Sequence, residues 1–140
     1  MTALDTNVIV DLAEGNSEVA ERALTLIERA AARGSLVVCG VVYAELCAAP
    51  NRTPDDVAAA LNAAQIGIDT DMPLPLWNRA GTAYAAYAAR RRRSRAKEPR
   101  RIAADFIIGA HAEAVGMLLT SDAEFYRRAF PELQVIDIRA

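Results

Sequence analysis

Leu4-Asp5-Thr6-Asn7-Val8-Ile9-Val10-Asp11 is the stretch on which the fold turns. The short apolar run before it ends on a carboxylate, Asp5, and Val8, Ile9 and Leu12 then follow at helical spacing. A strand ends there and a helix begins. A carboxylate at such a junction either caps the helix through its free backbone N–H groups or faces a cation. Three more carboxylates, Glu45, Asp105 and Asp122, stand near similar junctions further along the chain.

The same alternation runs outward from this stretch. Leu36-Val37-Val38-Cys39 and Met117-Leu118-Leu119 are unbroken apolar runs of strand length, as strands covered on both faces require. Ile66-Gly67-Ile68-Asp69 and Val135-Ile136 read as further strands. Asn16 or Ser17 caps a helix whose apolar face is Val19, Ala23, Leu26, Ile27 and Ala30, closed by Arg33-Gly34. Gly40 breaks the second strand, and residues 41–48 read as a helix ended by Pro50-Asn51. Thr53-Pro54-Asp55-Asp56 opens another, running to about Ala64. Pro73 and Pro75 introduce a long helix with the stripe Trp77, Ala80, Tyr84, Tyr87 and Ala88, which we assign to the core or a dimer contact rather than to base stacking. Ile102 to Ala114 is the next helix, stopped by Gly116. Ser121…Glu124 has capping-box spacing for a short last helix that ends at Phe130-Pro131. Strands alternating with helices predict an α/β fold, with a central, mostly parallel β-sheet flanked by α-helices on both faces and one domain over residues 1–140.

Composition narrows the function classes. Hydrophobic content is 53% and charged content 24%, a globular profile. No apolar run approaches the ~18–20 residues of a membrane span. No basic segment precedes Asp5, so a signal peptide is not expected, and Cys39 and Cys47 read as buried free thiols of a cytoplasmic protein. The net charge of −2 hides a segregation. Residues 90–101, RRRRSRAKEPRR, hold eight basic residues and one acidic, out of 16 and 18 in the whole chain. The remainder carries eight basic and 17 acidic, a net of −9. An acidic body with one basic segment suits a protein that holds a cation in one place and a polyanion beside it.

In open parallel sheets, ligands bind beyond the carboxyl ends of the strands. Asp5, Asp122, Glu45 and Asp105 can all reach that edge, Asp105 if its helix runs antiparallel to the strands. Clustered carboxylates repel and are driven to protonate unless a cation joins them. Oxygen donors without a Cys or His partner favour Mg²⁺ or Mn²⁺ over zinc. Such an ion activates water for attack on phosphorus, so the chemistry implied is hydrolysis of a phosphodiester. Taken singly, Asp5 reads more readily as a cap, Asp122 as an N-cap beside Ser121 and Asp105 as a helix-dipole residue, whereas Glu45 sits inside the apolar VVYAELCAA, where a charge has a place only if that helix shows a face to water.

At this point the residues resemble a known family. LDTNV at the start, a glutamate in VVYAEL, the ADFIIGAHA helix start and the LLTSDAEF segment are together similar to PIN-domain ribonucleases, and in length and order to the VapC toxins of type II toxin–antitoxin pairs. The resemblance implies a PIN-like three-layer sandwich and an endoribonuclease that uses Mg²⁺, with Mn²⁺ as the substitute. It implies Asp5, Glu45, Asp105 and Asp122 as catalytic metal ligands, with Asn7, Thr120 and Ser121 in support. It also implies an RNA substrate, a homodimer, and inhibition by a VapB-like antitoxin whose C-terminal segment enters the acidic groove. Two departures stand out. The segment before Asp105 is longer and richer in arginine than is usual, and Gly40 stands where a hydroxyl residue often caps the Glu45 helix.

The basic segment, Arg90, Arg91, Arg92, Arg93, Arg95, Lys97, Arg100 and Arg101, is the candidate RNA-binding surface, since guanidinium groups grip phosphates and stack on bases. Acidic residues of an antitoxin could use it too. His111, the only histidine, lies six residues after Asp105, on another side of the helix, and reads as structural. Asp11, Asp69 and Asp71 read as solvated. Two other classes stay open: a non-catalytic RNA- or protein-binding module on the same fold, and a metal-dependent hydrolase of DNA or phosphomonoesters.

Overall fold

The computed structural model describes residues 1–15, 17–95 and 97–140. Five parallel strands form one sheet: β1 (Thr2–Leu4), β2 (Leu36–Cys39), β3 (Ile66–Asp69), β4 (Met117–Thr120) and β5 (Gln134–Asp137), in the order β3-β2-β1-β4-β5. Seven helices lie between them: α1 (Thr6–Glu14), α2 (Glu18–Ala31), α3 (Gly40–Cys47), α4 (Pro54–Ala63), α5 (Leu74–Arg93), α6 (Ala103–Val115) and α7 (Ala123–Ala129). This is the expected parallel α/β sandwich.

Burial follows position in the sheet. The inner strands β1, β2 and β4 are buried along almost their whole length, and the edge strands β3 and β5 are half open. That is why the inner strands read as continuous apolar runs. The first two crossovers step from β1 toward β3, and the third returns across the sheet to β4. Right-handed crossovers then place α1–α4 on one face and α5–α7 on the other. The reversal falls between β1 and β4, which pair in register Ala3↔Leu118 and Leu4↔Leu119. A crevice opens at such a switch point, beyond the strand ends.

Local rules account for most helix boundaries. Ser17 caps α2 through the Ala20 N–H, and Asn16 lies outside the described residues. Thr53 and Asp56 form a reciprocal capping box, with Pro54 at the first helical position of α4. Gly15 ends α1 at φ 70°, a left-handed conformation that glycine adopts without strain. Four consecutive arginines fill the last turn of α5, where the helix dipole favours positive charge.

Three expectations are corrected. Gly40 does not merely end β2; it is the first residue of α3, whose N-cap residue Cys39 offers no side-chain cap. The Ser121…Glu124 capping box is absent: Asp122 is the N-cap residue of α7, its side chain makes no cap bond, and Arg101 holds its carboxylate instead. The inward stripe of α5 is Ala80, Ala83 and Tyr87, whereas Trp77 and Tyr84 are exposed. Tyr84 still stacks one ring face on Phe106, at 4.5 Å between centroids.

Two features seat α6 on the rest. Arg79 of α5 makes a two-pronged ion pair with Glu113, at 2.8 and 3.2 Å. Gly109 lets the Phe130 ring lie directly on the helix, since a Cβ there would stand 2.1 Å from Phe130 Cε2. From Phe106 a chain of edge-on rings runs through Phe125 to Tyr126, beneath the switch point.

Candidate active site

Asp5, Glu45, Asp105 and Asp122 line one cleft of about 330 Å³ at the switch point, together with Thr6, Asn7, Val10, Asp11 and Ile108. Asp5 is carried there by the end of β1, and Asp122 by the residues after β4. Glu45 comes from α3 and Asp105 from the first turn of α6. The structure therefore brings all four sequence-selected carboxylates together, from segments 117 residues apart at the extremes (Asp5 to Asp122).

Asp5 is the fixed point. It is 5% exposed. One oxygen accepts from the Thr6 N–H at 2.8 Å, so the residue does cap α1. The other accepts from Thr120 Oγ1 at 2.7 Å and Asn7 Nδ2 at 3.1 Å. Cap and cleft wall are thus one residue in both roles. Burial raises the Asp5 pKa, only partly offset by hydrogen bonds from Thr120, the Thr6 backbone and the Tyr126 hydroxyl, while the Asp105 charge pushes it further up.

The supporting residues knit β1 to β4. Thr120, fully buried, donates to Asp5 and accepts from the Asp122 N–H at 3.0 Å. Asn7 donates to Asp5 and accepts from the Ser121 N–H at 3.0 Å. Ser121 therefore contributes through its backbone. Glu45 is exposed and is held by the Thr6 hydroxyl at 2.7 Å. Asp105 is half-buried, and its carboxylate lies 3.5 Å from the Ile102 N–H. Burial raises its pKa, the Ile102 N–H and the nearby Arg101 oppose that, and the Glu45 and Asp122 charges add to it.

Asp122 differs from the other three. Its two oxygens are gripped by the two terminal nitrogens of Arg101, the second contact at 3.3 Å. The Arg101 guanidinium lies 4.2 Å above the centre of the Phe125 ring. Its backbone N–H donates to the Tyr87 hydroxyl at 2.6 Å, and that hydroxyl donates to the Pro99 carbonyl at 2.7 Å. A buried phenol on α5 thereby fixes where the loop delivers Arg101.

The basic segment divides in two. Arg90 pairs with Glu98 at 3.7 Å, Arg91 donates to the Glu98 carbonyl at 3.3 Å, and Arg101 is committed to Asp122. Arg92, Arg93, Arg95, Lys97 and Arg100 are exposed. A second cavity, of about 420 Å³, is lined by Arg91, Arg92, Arg95, Arg100 and Arg101 beside Tyr84. The Arg101–Asp122 pair stands between this basic cavity and the acidic cleft.

The donor set fits a hard divalent cation. All four groups are carboxylates, two have pKa values raised by burial, and a fifth, Asp11, turns a buried oxygen without a hydrogen-bond partner into the same region. The arrangement is nevertheless not closed as it stands. Among the described residues, no three Asp, Glu, His or Cys side chains are placed to hold a metal ion together.

Sequence reading missed Thr6, Tyr126, Asp11 and the inward role of Arg101. Asp11 and Asp69, read as solvated, are only partly so: one Asp11 oxygen is buried, and Asp69, with 37% of its side chain exposed, has a partner in His111. Asp69 sits 2.9 Å from Nε2 of the buried His111, which ties α6 to β3 in the structural role expected of that histidine. No described helix is long and apolar enough to cross a membrane.

Comparison with known proteins agrees with this architecture. The sequence matches the PIN domain family over residues 2–131. A chain of the VapBC-1 structure from nontypeable Haemophilus influenzae superposes with a TM-score of 0.65 at 19% identity, covering 99% of this chain and 98% of that one. A chain of VapBC2 from Rickettsia felis, solved bound to a DNA fragment from its promoter, gives 0.62 at 16% identity, with 97% of each chain covered. A chain of FitAcB from Neisseria gonorrhoeae gives 0.57 at 19% identity, with 99% of each covered. A search among curated proteins finds no match to this sequence. At these identities the likenesses to solved structures speak to the fold.

Proposed function

Because the chain belongs to the PIN domain family, we propose that it is a Mg²⁺-dependent endoribonuclease and the toxin of a type II toxin–antitoxin pair. The observation that carries the nuclease reading is the meeting of Asp5, Glu45, Asp105 and Asp122 in one cleft at the switch point of the sheet. These four would hold Mg²⁺ or Mn²⁺, and the bound ion would supply an activated water and screen the phosphate charge. Thr6, Asn7 and Thr120 orient the carboxylates before any ligand arrives. Arg92, Arg95 and Arg100, around the neighbouring basic cavity, would take the phosphates of a single strand.

The toxin assignment rests on the order and spacing of the acidic motifs and on a fold shared with chains of VapBC and FitAB structures. The partner would be a VapB-like antitoxin. An apolar groove between α1, α3 and α4, lined by Ile9, Leu12, Leu46, Val57 and Leu61, suits an amphipathic segment of such a partner. A homodimer is the proposed resting state, with Leu74, Trp77 and Tyr84 on the exposed face of α5 as its contact.

Labelled RNA incubated with wild-type protein and Mg²⁺, with EDTA, and with Asp5→Asn tests the nuclease. Cleavage only in the first condition is expected, and equal cleavage in all three would sink the mechanism. Co-expression with the product of an adjacent small gene tests the pairing: rescue of growth and co-purification are expected.

A further inference from the structure

Of the four cleft carboxylates, Asp122 alone is held by an arginine, Arg101, among the described residues. We propose that Arg101 is a built-in counter-ion that competes with the divalent cation for Asp122 and gives it up when the cation enters. The proposal rests on the reading of the acidic cleft as a divalent-metal site.

Three observations support it. First, the grip is complete: both guanidinium ends reach both Asp122 oxygens, in the fork geometry that makes arginine–carboxylate pairs strong. While Arg101 holds both its oxygens, Asp122 offers less negative charge to a cation in the cleft that it lines with Asp5, Glu45 and Asp105. Second, both backbones are anchored independently of the pair. The Asp122 N–H is bonded to Thr120 and the Arg101 N–H to the Tyr87 hydroxyl. Breaking the pair therefore moves side chains and leaves the chain path as it is. Third, Arg101 has somewhere to go. Its side chain is 23% exposed, rests on the Phe125 ring, and also lines the basic cavity. A short swing of the stem carries the guanidinium from Asp122 into that cavity.

One consequence concerns substrate. A phosphate in the basic cavity draws the guanidinium away from Asp122 and so frees a cation ligand. Cation and polyanion then strengthen one another's binding by the same factor, as linkage demands. The free protein would carry its own damper, released when both ligands are present.

The test is Mn²⁺ binding to the full chain, followed by the electron paramagnetic resonance of free Mn²⁺. Wild type, Arg101→Ala and Arg100→Ala are compared. The two variants lose the same charge, but Arg100 is exposed and makes no such pair with Asp122. Arg101→Ala is expected to bind Mn²⁺ roughly tenfold more tightly than wild type, in line with the loss of a charged hydrogen-bonded competitor. Arg100→Ala should shift the affinity far less. Equal shifts in both variants, or none, overturn the proposal and leave the metal site standing. No Mn²⁺ binding by any of the three removes the metal site and the proposal with it. A second measurement needs no variant: the ¹⁵N signals of the Arg101 terminal nitrogens, slowed by the pair in EDTA-treated protein, should lose that restriction as Mg²⁺ is added. Their persistence at saturating Mg²⁺ overturns the proposal.

Discussion

Thr120→Val tests how the cleft is held in its ligand-free state. The hydroxyl is fully buried, donates to Asp5 at 2.7 Å and accepts from the Asp122 N–H at 3.0 Å. Valine keeps the shape and removes both bonds. A hydrogen bond to an ionised carboxylate contributes about 1.5–3 kcal/mol, and the stranded Asp122 N–H adds about 1 kcal/mol, so the loss at pH 7 should be about 2.5–4 kcal/mol. The pH dependence follows from Asp5. Its folded pKa is raised above the ordinary 3.8, so the folded state binds the proton more tightly, and its stability relative to neutral pH rises as pH falls through that raised value. Thr120 opposes the rise, and valine lets it grow. The gap between variant and wild type should therefore be widest at pH 7. It should narrow to about 1–2 kcal/mol once Asp5 is protonated, where only neutral hydrogen bonds are lost. Urea unfolding of both proteins with EDTA, at stepwise lower pH, reads this directly. A gap under about 0.5 kcal/mol at pH 7, below the value of even a neutral hydrogen bond, or one that widens with acid, would refute the reasoning.

Gly109→Ala places a Cβ 2.1 Å from the buried Phe130 ring, so overpacking should outweigh the gain in helix propensity and cost about 1–3 kcal/mol by urea unfolding. For Asp69 the sign is opposite to that for Asp5. The His111 hydrogen bond and then the Asp71 N–H hold its pKa below 3.8, so its contribution is present above 3.8 and fades as pH falls through the depressed value. Asp69→Asn should lower the melting temperature at neutral pH, and the difference from wild type should vanish below that value. On the proposed RNA surface, binding measured with Asp5→Asn to prevent cleavage should weaken with salt. Replacing Arg92, Arg95 and Arg100 by alanine should flatten the log–log slope by about 2, at roughly 0.7 per phosphate contact; an unchanged slope would place RNA elsewhere.

What could be read from the sequence, and what could not, divides by the range of the signal. The sheet was legible because Leu36–Cys39 and Met117–Thr120 are inner strands, and burial on both faces leaves an unbroken apolar run. Local helix caps were legible at Thr53 and Asp56, where the partners lie three residues apart, and at Ser17. The Ser121…Glu124 spacing misled because α7 starts one residue later than it assumes: Asp122, not Ser121, is the N-cap residue, and Glu124 then falls at the second helical position. Asp5, Glu45 and Asp122 could be collected because each follows closely on the end of a strand, whereas Asp105 opens α6 after a loop from α5 and joins them because that helix begins at the same edge of the sheet. Asp69–His111 and Thr6–Glu45 span 42 and 39 residues with no local pattern to announce them. Tyr126 hid for a different reason: on a short helix it reads as one more core aromatic, and only the fold turns its hydroxyl toward Asp5. The basic segment was read as one surface, but its ends are fastened inward by Glu98 and Asp122, and only its middle faces solvent.

The bond from Thr120 to Asp5 joins residues 115 positions apart. On a ribosome, the first of the four carboxylates is made long before the β4 strand that steadies it, and at about 5–20 residues per second the delay is on the order of ten seconds. Through that interval β1 has no β4 beside it, Asp5 lacks the Thr120 hydroxyl, and Asp122 does not yet exist. The four carboxylates can therefore meet in one cleft only after β4 and the turn that follows it have been made, long after Asp5 itself.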